Sequence, residues 1–360
     1  MVLAALPAAR LVGGCVRDHL ADRDGADIDL ATPDQPAAAI AALEAAGVRA
    51  IPTGIAHGTV TALADGHSYE ITTLRRDVET DGRHAVVAFT DDWRADAARR
   101  DFTINAMSMT PDGTVFDYFG GRADLESGRV RFVGDAATRI AEDYLRILRF
   151  FRFTARYAKG PPDAEATAAI AAGVPGLAML SGERVWSELK RILAAPAPSA
   201  AVALMHDLGV LQAILPGAAP TPLDHLPADP LLRLAALHRP GVPALKLSNE
   251  EVERLFALQG PPPPSDADEV ALRRLLADTP PEVLIGRTRL AGYPDAVRAR
   301  LAGIPVPVFP VQGRDLKDLG IAPGPMMGQI LRDLRAAWLD GGCVADRAAL
   351  LAQLVERGTP

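Results

Sequence analysis

The sequence predicts a mixed α/β domain of about 120 residues followed by an all-helical remainder. Three observations predict it. Short apolar runs alternate with turn signals up to about residue 120. Strand patterns vanish from Ile140 onward. Beyond that point a Leu-, Ala- and Arg-rich helical pattern is punctuated by Pro and Gly.

Leu11-Val12 reads as a short strand meeting Gly13-Gly14, after which Val16–Leu20 starts a helix. Asp27–Thr32 reads as a second strand, and Pro36–Ala46 as an Ala-rich helix ended by Gly47. Thr59–Leu63 and Ser68–Leu74 are strands joined by a turn at Asp65-Gly66, and Met107–Thr110 and Thr114–Tyr118 form a second hairpin. The helical part is broken at Pro161-Pro162, Pro175-Gly176, Pro196–Pro198 and Pro216-Gly217, and the run Pro261–Pro264 must be a loop. A Pro/Gly-rich stretch, Pro305–Pro325, precedes the last helical segment.

At 360 residues the chain exceeds one compact domain. The expected division is a head at 1–128, a helical neck at 129–200, a helical body at 201–300 and a helical tail at 301–360. Hydrophobic residues make up 49% and aromatics only 5%, so aliphatic side chains must do most of the packing. No apolar run reaches the roughly 20 residues of a membrane span, the N-terminus lacks a basic-then-apolar leader pattern, and Cys15 and Cys343 offer no disulfide framework. The expectation is a cytoplasmic protein without a membrane partner. A net charge of −7 speaks against a broad nucleic-acid surface, yet arginines crowd into 94–100 and 146–156. Nothing in the sequence gives the oligomeric state.

Asp27 and Asp29 sit two apart on the second strand, so both carboxylates point one way and Ile28 points into the core. Alone, such a pair is most simply an exposed strand face. Adjacent ionised carboxylates repel unless a cation lies between them, and magnesium takes one or two carboxylates plus substrate phosphates. The upstream sequence favours that chemistry. Gly13-Gly14, between strand and helix, lets backbone N–H groups approach a phosphate, and Arg17 one turn later can reach it, with Asp18 capping or orienting that arginine. Glu70 is a candidate third carboxylate, equally readable as a solvated strand residue.

Two strings carry most of the remaining chemistry. In Arg99-Arg100-Asp101-Phe102-Thr103-Ile104-Asn105-Ala106-Met107, arginine forks suit a triphosphate while Asp and Asn suit ribose hydroxyls. In Glu142–Arg152 and just beyond, Arg146, Arg149, Arg152 and Arg156 share a helical stripe, with Asp143 one turn before Arg146. Tyr144, Ile147, Leu148, Phe151 and Ala155 should pack inward.

Leu11–Asp18 followed by Asp27-Ile28-Asp29-Leu30-Ala31-Thr32, together with Arg99–Met107, resembles the signature of the tRNA nucleotidyltransferase/poly(A) polymerase family. The resemblance implies a head of the polymerase-β-like nucleotidyltransferase type followed by an all-α neck, body and tail. It implies that Asp27 and Asp29 bind Mg2+ and that Gly13, Gly14, Arg17, Arg100, Asp101 and Asn105 hold the nucleotide. Asp117–Leu125 is similar to the family's connection between head and neck, where Asp124 fixes a sharp turn. The resemblance further implies that Asp143 and Arg146 read the Watson–Crick edge of the incoming base, with Arg149 and Arg152 near the nucleotide or the tRNA end. Ser181–Leu193 resembles a supporting neck helix, in which Glu183 suits the helix start. Gly313-Arg314-Asp315-Leu316 and Pro323-Gly324-Pro325 resemble a tail that faces tRNA.

The reaction this implies is addition of C, C and A to tRNA from CTP and ATP; the alternative is a poly(A) polymerase. Glu142-Asp143 favours CCA addition, because poly(A) polymerases of this group usually carry Asp-Pro there. The segment Arg75–Trp93, including Asp81-Gly82-Arg83-His84, looks like an intact flexible loop, which enzymes adding only CC tend to shorten. His206-Asp207 lacks the further ligands of a phosphohydrolase site. A non-catalytic RNA-binding protein fits poorly with both aspartates and the phosphate turn in place.

Overall fold

The structure is a computed structural model and describes residues 1–23, 27–81, 84–238, 241 and 244–356. It divides into two compact units, Met1–Pro230 with Pro243–Lys246, and Leu231–Val242 with Leu247–Pro360.

The first unit opens with α1 (Val2–Ala5), β1 (Arg10–Val12), α2 (Gly14–Leu20), β2 (Asp29–Thr32), α3 (Pro36–Ala45) and β3 (Arg49–Gly54). β4 (Thr59–Ala64), β5 (His67–Thr73), β6 (Arg75–Asp81), β7 (His84–Phe89), α4 (Trp93–Ala98), β8 (Met107–Met109) and β9 (Val115–Asp117) complete the sheet region. Seven strands form one mixed sheet in the order β3-β4-β5-β2-β1-β8-β9. Among the described residues only β2 and β5 pair in parallel, with Asp29 opposite Glu70. The Ala-rich α3 covers one face: Ala39 and Leu43 pack with Leu30, Val60, Ala62 and Ile71, all essentially buried. Small alanines let helix and sheet approach closely, so aliphatic burial alone fills this core.

Two expectations need correction here. The strand predicted from Asp27 begins only at Asp29, and Ile28 is 39% exposed rather than in the core. The segment read as a loop from Arg75 is a two-stranded ribbon of β6 and β7, separate from the main sheet. Gly82 and Arg83 of that reading lie outside the described residues.

The helices α5 (Gly121–Ser127), α6 (Ala136–Glu142), α7 (Leu145–Tyr157), α8 (Ala164–Gly173), α9 (Gly182–Leu193), α10 (Ser199–Asp207) and α11 (Val210–Ile214) follow. Asp117, rather than Asp124, caps the start of α5, accepting from the N–H groups of Gly121 and Arg122 at 2.9 Å each. Asp124 instead accepts from Thr103 Oγ1 at 2.6 Å and Arg131 Nε at 2.7 Å. The close approach explains Gly121: a Cβ there would lie 2.1 Å from the Thr103 carbonyl oxygen. Gly121→Ala is therefore expected to cost about 3 kcal/mol or more, since a backbone atom rather than a flexible side chain must yield. Chemical denaturation checks this; a loss under about 1 kcal/mol would show that the turn relaxes freely.

α7 is fastened to the sheet region by aromatic packing. Phe102 meets Phe132 and Phe153 at centroid distances of 4.8 and 5.2 Å, and Phe132 stacks on Phe150 at 6.1 Å. Such contacts bury much apolar area in a chain otherwise poor in aromatics.

The second unit is helical: α12 (Pro230–Leu237), α13 (Asn249–Gln259), α14 (Glu269–Leu276), α15 (Pro281–Leu290), α16 (Asp295–Gly303), α17 (Gly313–Asp318), α18 (Pro325–Asp340) and α19 (Arg347–Glu356). Pro261–Pro264 is a loop between α13 and α14, as its composition requires. Leu316, Trp338 and Leu350 centre one core of this unit, and Leu284 and Leu301 another. The tail-like Gly313–Leu316 string starts α17, where Asp315 is buried and paired with Arg347 at 2.8 Å. No helix among the described residues is long and apolar enough to cross a membrane.

Candidate active site

A cleft of 1010 Å³ in the first unit gathers nearly every residue singled out from the sequence. Gly13, Gly14, Arg17, Asp27, Asp29, Arg100, Asp101 and Asn105 line it from the sheet side. Asp143, Arg146, Arg149, Arg152 and Arg156 line it from the helical side. Glu70 is not among the lining residues; it is exposed and acts on Asp29 across the β2–β5 pairing.

The glycine turn is built for close approach. Gly13 has a φ of +71° in the left-handed region, and a Cβ there would come within 3.0 Å of Arg100 Nη1. Arg17 is buried and held on three sides. It donates to both Asp18 oxygens at 3.0 and 2.9 Å and to Asn105 Oδ1 at 2.5 Å. The expected orienting role of Asp18 is thus realised as a fork-on-fork pair, which Tyr157 extends by donating its hydroxyl to Asp18 Oδ1. Burial alone would raise the Asp18 carboxyl, but the bonds from Arg17 and Tyr157 hold it below the ordinary value.

Asp29 goes the other way. Burial first, then the charges of Glu70 and Asp27, raise its pKa, with Arg100 opposing them. A carboxylate pushed up by neighbouring carboxylates gains from a cation. Among the described residues no group of three or more His, Cys, Asp or Glu forms a metal cage, and Asp27 and Asp29 are the carboxylates that line the cleft beside the glycine turn. Two carboxylates with ligand positions left for phosphate oxygens match the coordination habit of magnesium. The residues fit such an ion.

Asp101 anchors the helical side to the sheet side. It takes Arg149 Nε at 2.6 Å and Nη2 at 2.5 Å, and accepts from Asn105 Nδ2 at 3.0 Å. Burial would raise this carboxyl too, but the Arg149 charge and the Asn105 bond keep it low, so it stays ionised. Half-buried Arg149 and the buried Asp101, Asn105, Arg17 and Asp18 form one continuous chain of hydrogen bonds along the cleft. A network with its polar groups this well satisfied holds its members in one geometry.

The α6–α7 junction sets Asp143. The α6 helix stops there with extended backbone, and one Asp143 oxygen accepts from the N–H of Leu145, the first residue of α7, at 3.0 Å. The other accepts from Arg184 Nη2 on α9 at 2.7 Å. Arg146 pairs with Glu142, not Asp143, and donates to the Arg139 carbonyl at 2.8 Å. The buried face of α7 is wider than expected. Ile147, Leu148 and Phe151 are buried as predicted, together with Phe150, Phe153 and Tyr157, while Tyr144 and Ala155 are only half-buried.

Three residues of α9 lie outside the sequence expectation of a mainly supporting helix. Arg184 and Arg191 line the cleft, and Glu188 lies beneath them. Their spacing of four and then three residues puts them on one helical stripe, the signal that could have found them. Glu183, by contrast, is exposed at the helix start and pairs with Lys246 at 3.2 Å, as a structural role requires. His206 lies in the last turn of α10, with its Nδ1 buried and unbonded among the described residues.

Residues 9–131 match the family model described as "Poly A polymerase head domain", and residues 162–221 match "Probable RNA and SrmB- binding site of polymerase A". A head of that type carrying this cleft defines the class of the protein as a nucleotidyltransferase. "CCA tRNA nucleotidyltransferase 1, mitochondrial" of Mus musculus is 38% identical over 372 residues, spanning 96% of this chain and 86% of its own. The "CCA-adding enzyme" of Geobacillus thermodenitrificans is 32% identical, spanning 97% of this chain and 93% of its own. The crystal structure of the Bacillus stearothermophilus CCA-adding enzyme in complex with CTP superposes with a TM-score of 0.77 at 26% identity, covering 99% of this chain and 95% of that one. The chain belongs to the family of CCA-adding enzymes.

Proposed function

We propose that this protein adds C, C and A in that order to the 3′ end of tRNA, using CTP and ATP and no nucleic-acid template. The observation that carries the reading is a single cleft in which phosphate-binding groups of the sheet face a carboxylate–guanidinium set on the helices. The relatives named as CCA tRNA nucleotidyltransferases support it over nearly the whole chain.

In this reading the terminal ribose hydroxyl of tRNA attacks the α-phosphorus of the nucleotide and pyrophosphate leaves. Asp27 and Asp29 hold magnesium. An ion held there would lower the pKa of the attacking hydroxyl and neutralise the departing pyrophosphate. The Gly13-Gly14 turn, Arg17 and Arg100 hold the triphosphate. The Asp101–Asn105 pair faces the sugar, and its tie to Arg149 fixes where the sugar sits.

Asp143 and Arg146 select the base. Asp143 accepts from an exocyclic amino group, and Arg146 donates to the adjacent ring nitrogen. Cytosine and adenine both offer that donor–acceptor order, whereas uracil and guanine present a carbonyl and a ring N–H in the opposite order. Arg184 orients Asp143 for the task.

The test offers tRNA lacking its last three residues to the purified protein with one nucleoside triphosphate at a time. CTP alone should add two residues, ATP should add one only after them, and UTP and GTP should add none. A long adenosine tract on unrelated RNAs would overturn the reading in favour of poly(A) synthesis.

A further inference from the structure

Glu188 is a charged side chain that none of the roles above uses. It lies on α9 and is 4% exposed, beneath rather than in the cleft. Its Oε1 is shared by three guanidinium groups: Arg152 at 3.1 Å, Arg191 at 3.6 Å and Arg149 at 4.0 Å. Its Oε2 is buried and has no hydrogen-bond partner among the described residues. A buried carboxylate with one oxygen unsatisfied is a poor stabilising element, because the desolvation of the second oxygen is not offset. Its position needs another account.

The three arginines supply that account. Arg149 and Arg152 come from α7 and Arg191 from α9, and all three line the cleft. Guanidinium groups so close repel one another, and side chains this long would otherwise splay toward solvent. Burial and the neighbouring arginines push the Arg152 pKa down to about 10 despite the opposing charge of Glu188. Asp101 restrains Arg149 from the other side. Among the described residues of this cluster, Glu188 is the carboxylate that pairs with arginines of both helices.

We infer that Glu188 is a positioning residue that gathers Arg149, Arg152 and Arg191 into one preorganised anion site for a polyphosphate. This rests on the reading that the cleft takes a nucleoside triphosphate, and it adds the device that keeps the cationic wall assembled before substrate arrives. The arrangement lowers the ordering cost of binding, since the arginines need not be collected by the ligand itself. Among the described residues Glu188 makes no ion pair or hydrogen bond with Asp143 or Arg146, so its effect should be the same for both bases.

Equilibrium binding of CTP and of ATP to the full chain, by calorimetry with magnesium present, tests this for wild type, Glu188→Gln and Glu188→Asp. Both ligands should bind Glu188→Gln about tenfold more weakly, by the same factor, and Glu188→Asp should recover part of the loss. The KM for each nucleotide in tRNA extension should rise by a similar factor, with kcat changed less and the preference for C and A over U and G retained. Far-UV circular dichroism and the thermal midpoint report whether each variant folds. If Glu188→Gln binds both nucleotides as well as wild type or better, the carboxylate only screens the arginines and the inference is wrong. A shift in base preference would equally overturn it. If wild type itself binds no nucleoside triphosphate, the reading of the cleft fails first, a distinguishable result.

Discussion

Alanine in place of Asp27 is expected to cut CMP incorporation by about a thousandfold or more, with tRNA affinity left within about threefold of wild type. The size follows from what the pair is asked to do. Asp27 is exposed at the cleft and precedes the strand, whereas Asp29 is the first residue of β2 and is half-buried. Burial first, then Glu70 and Asp27, already raise the Asp29 pKa, so its ionised form gains from a cation. Without Asp27 one carboxylate remains for an ion that also needs phosphate oxygens, and several kcal/mol of transition-state stabilisation go with it. Because Asp27 is exposed and lies outside the strand, the fold should survive. Measurable CMP incorporation at a tenth of the wild-type rate or above would sink the metal assignment.

Arg146→Ala is expected to lower kcat/KM for CTP and ATP by about a hundredfold and to raise relative use of UTP and GTP by tenfold or more. A site that hydrogen-bonds a base edge rejects the wrong edge because its buried polar groups are left unpaired; deleting the donor deletes the penalty. Glu142 would keep its second partner, Arg139 at 2.7 Å, so the substitution strands no charge. Single-nucleotide incorporation with each triphosphate reads the outcome. A variant that stays weak but still uses only CTP and ATP would move base selection to another residue, with Asp143 and Arg184 the next to examine.

Features carried by short stretches of chain were legible in the sequence. The glycine turn, the Arg99–Met107 string and the α7 ladder each report a local spacing, and the cleft brings them together. The hairpin of β4 and β5 was equally plain from its alternation and turn. β3 was not, because Arg49–Gly54 carries Pro52 and buries no residue fully, so no alternation marks it. The ribbon of β6 and β7 was hidden by the charged run from Arg75 to Asp81, which reads as a loop on composition. Sequence spacing also put Asp27 and Asp29 on one strand face, an argument that fails once the strand starts at Asp29.

Partners distant in the chain were beyond any local pattern. Asp143 meets Arg184 across 41 residues, Asp101 meets Arg149 across 48, and Tyr157 reaches Asp18 across 139. Helical periodicity places Asp143 near Arg146, but only the fold shows that Glu142 takes the arginine and leaves the aspartate to α9. Charge summed over the chain was similarly uninformative: a net −7 coexists with six arginines along the helical wall of one cleft.

In the proposed reaction one cleft both performs nucleotidyl transfer and chooses the base, with protein side chains as the template. The most direct measurement incubates the purified protein with tRNA lacking its 3′ CCA and all four nucleoside triphosphates at equal concentration, then sequences the product ends. Products should end in CCA and stop there. Ends extended by runs of adenosine, or carrying U or G at any of the three positions, would contradict it.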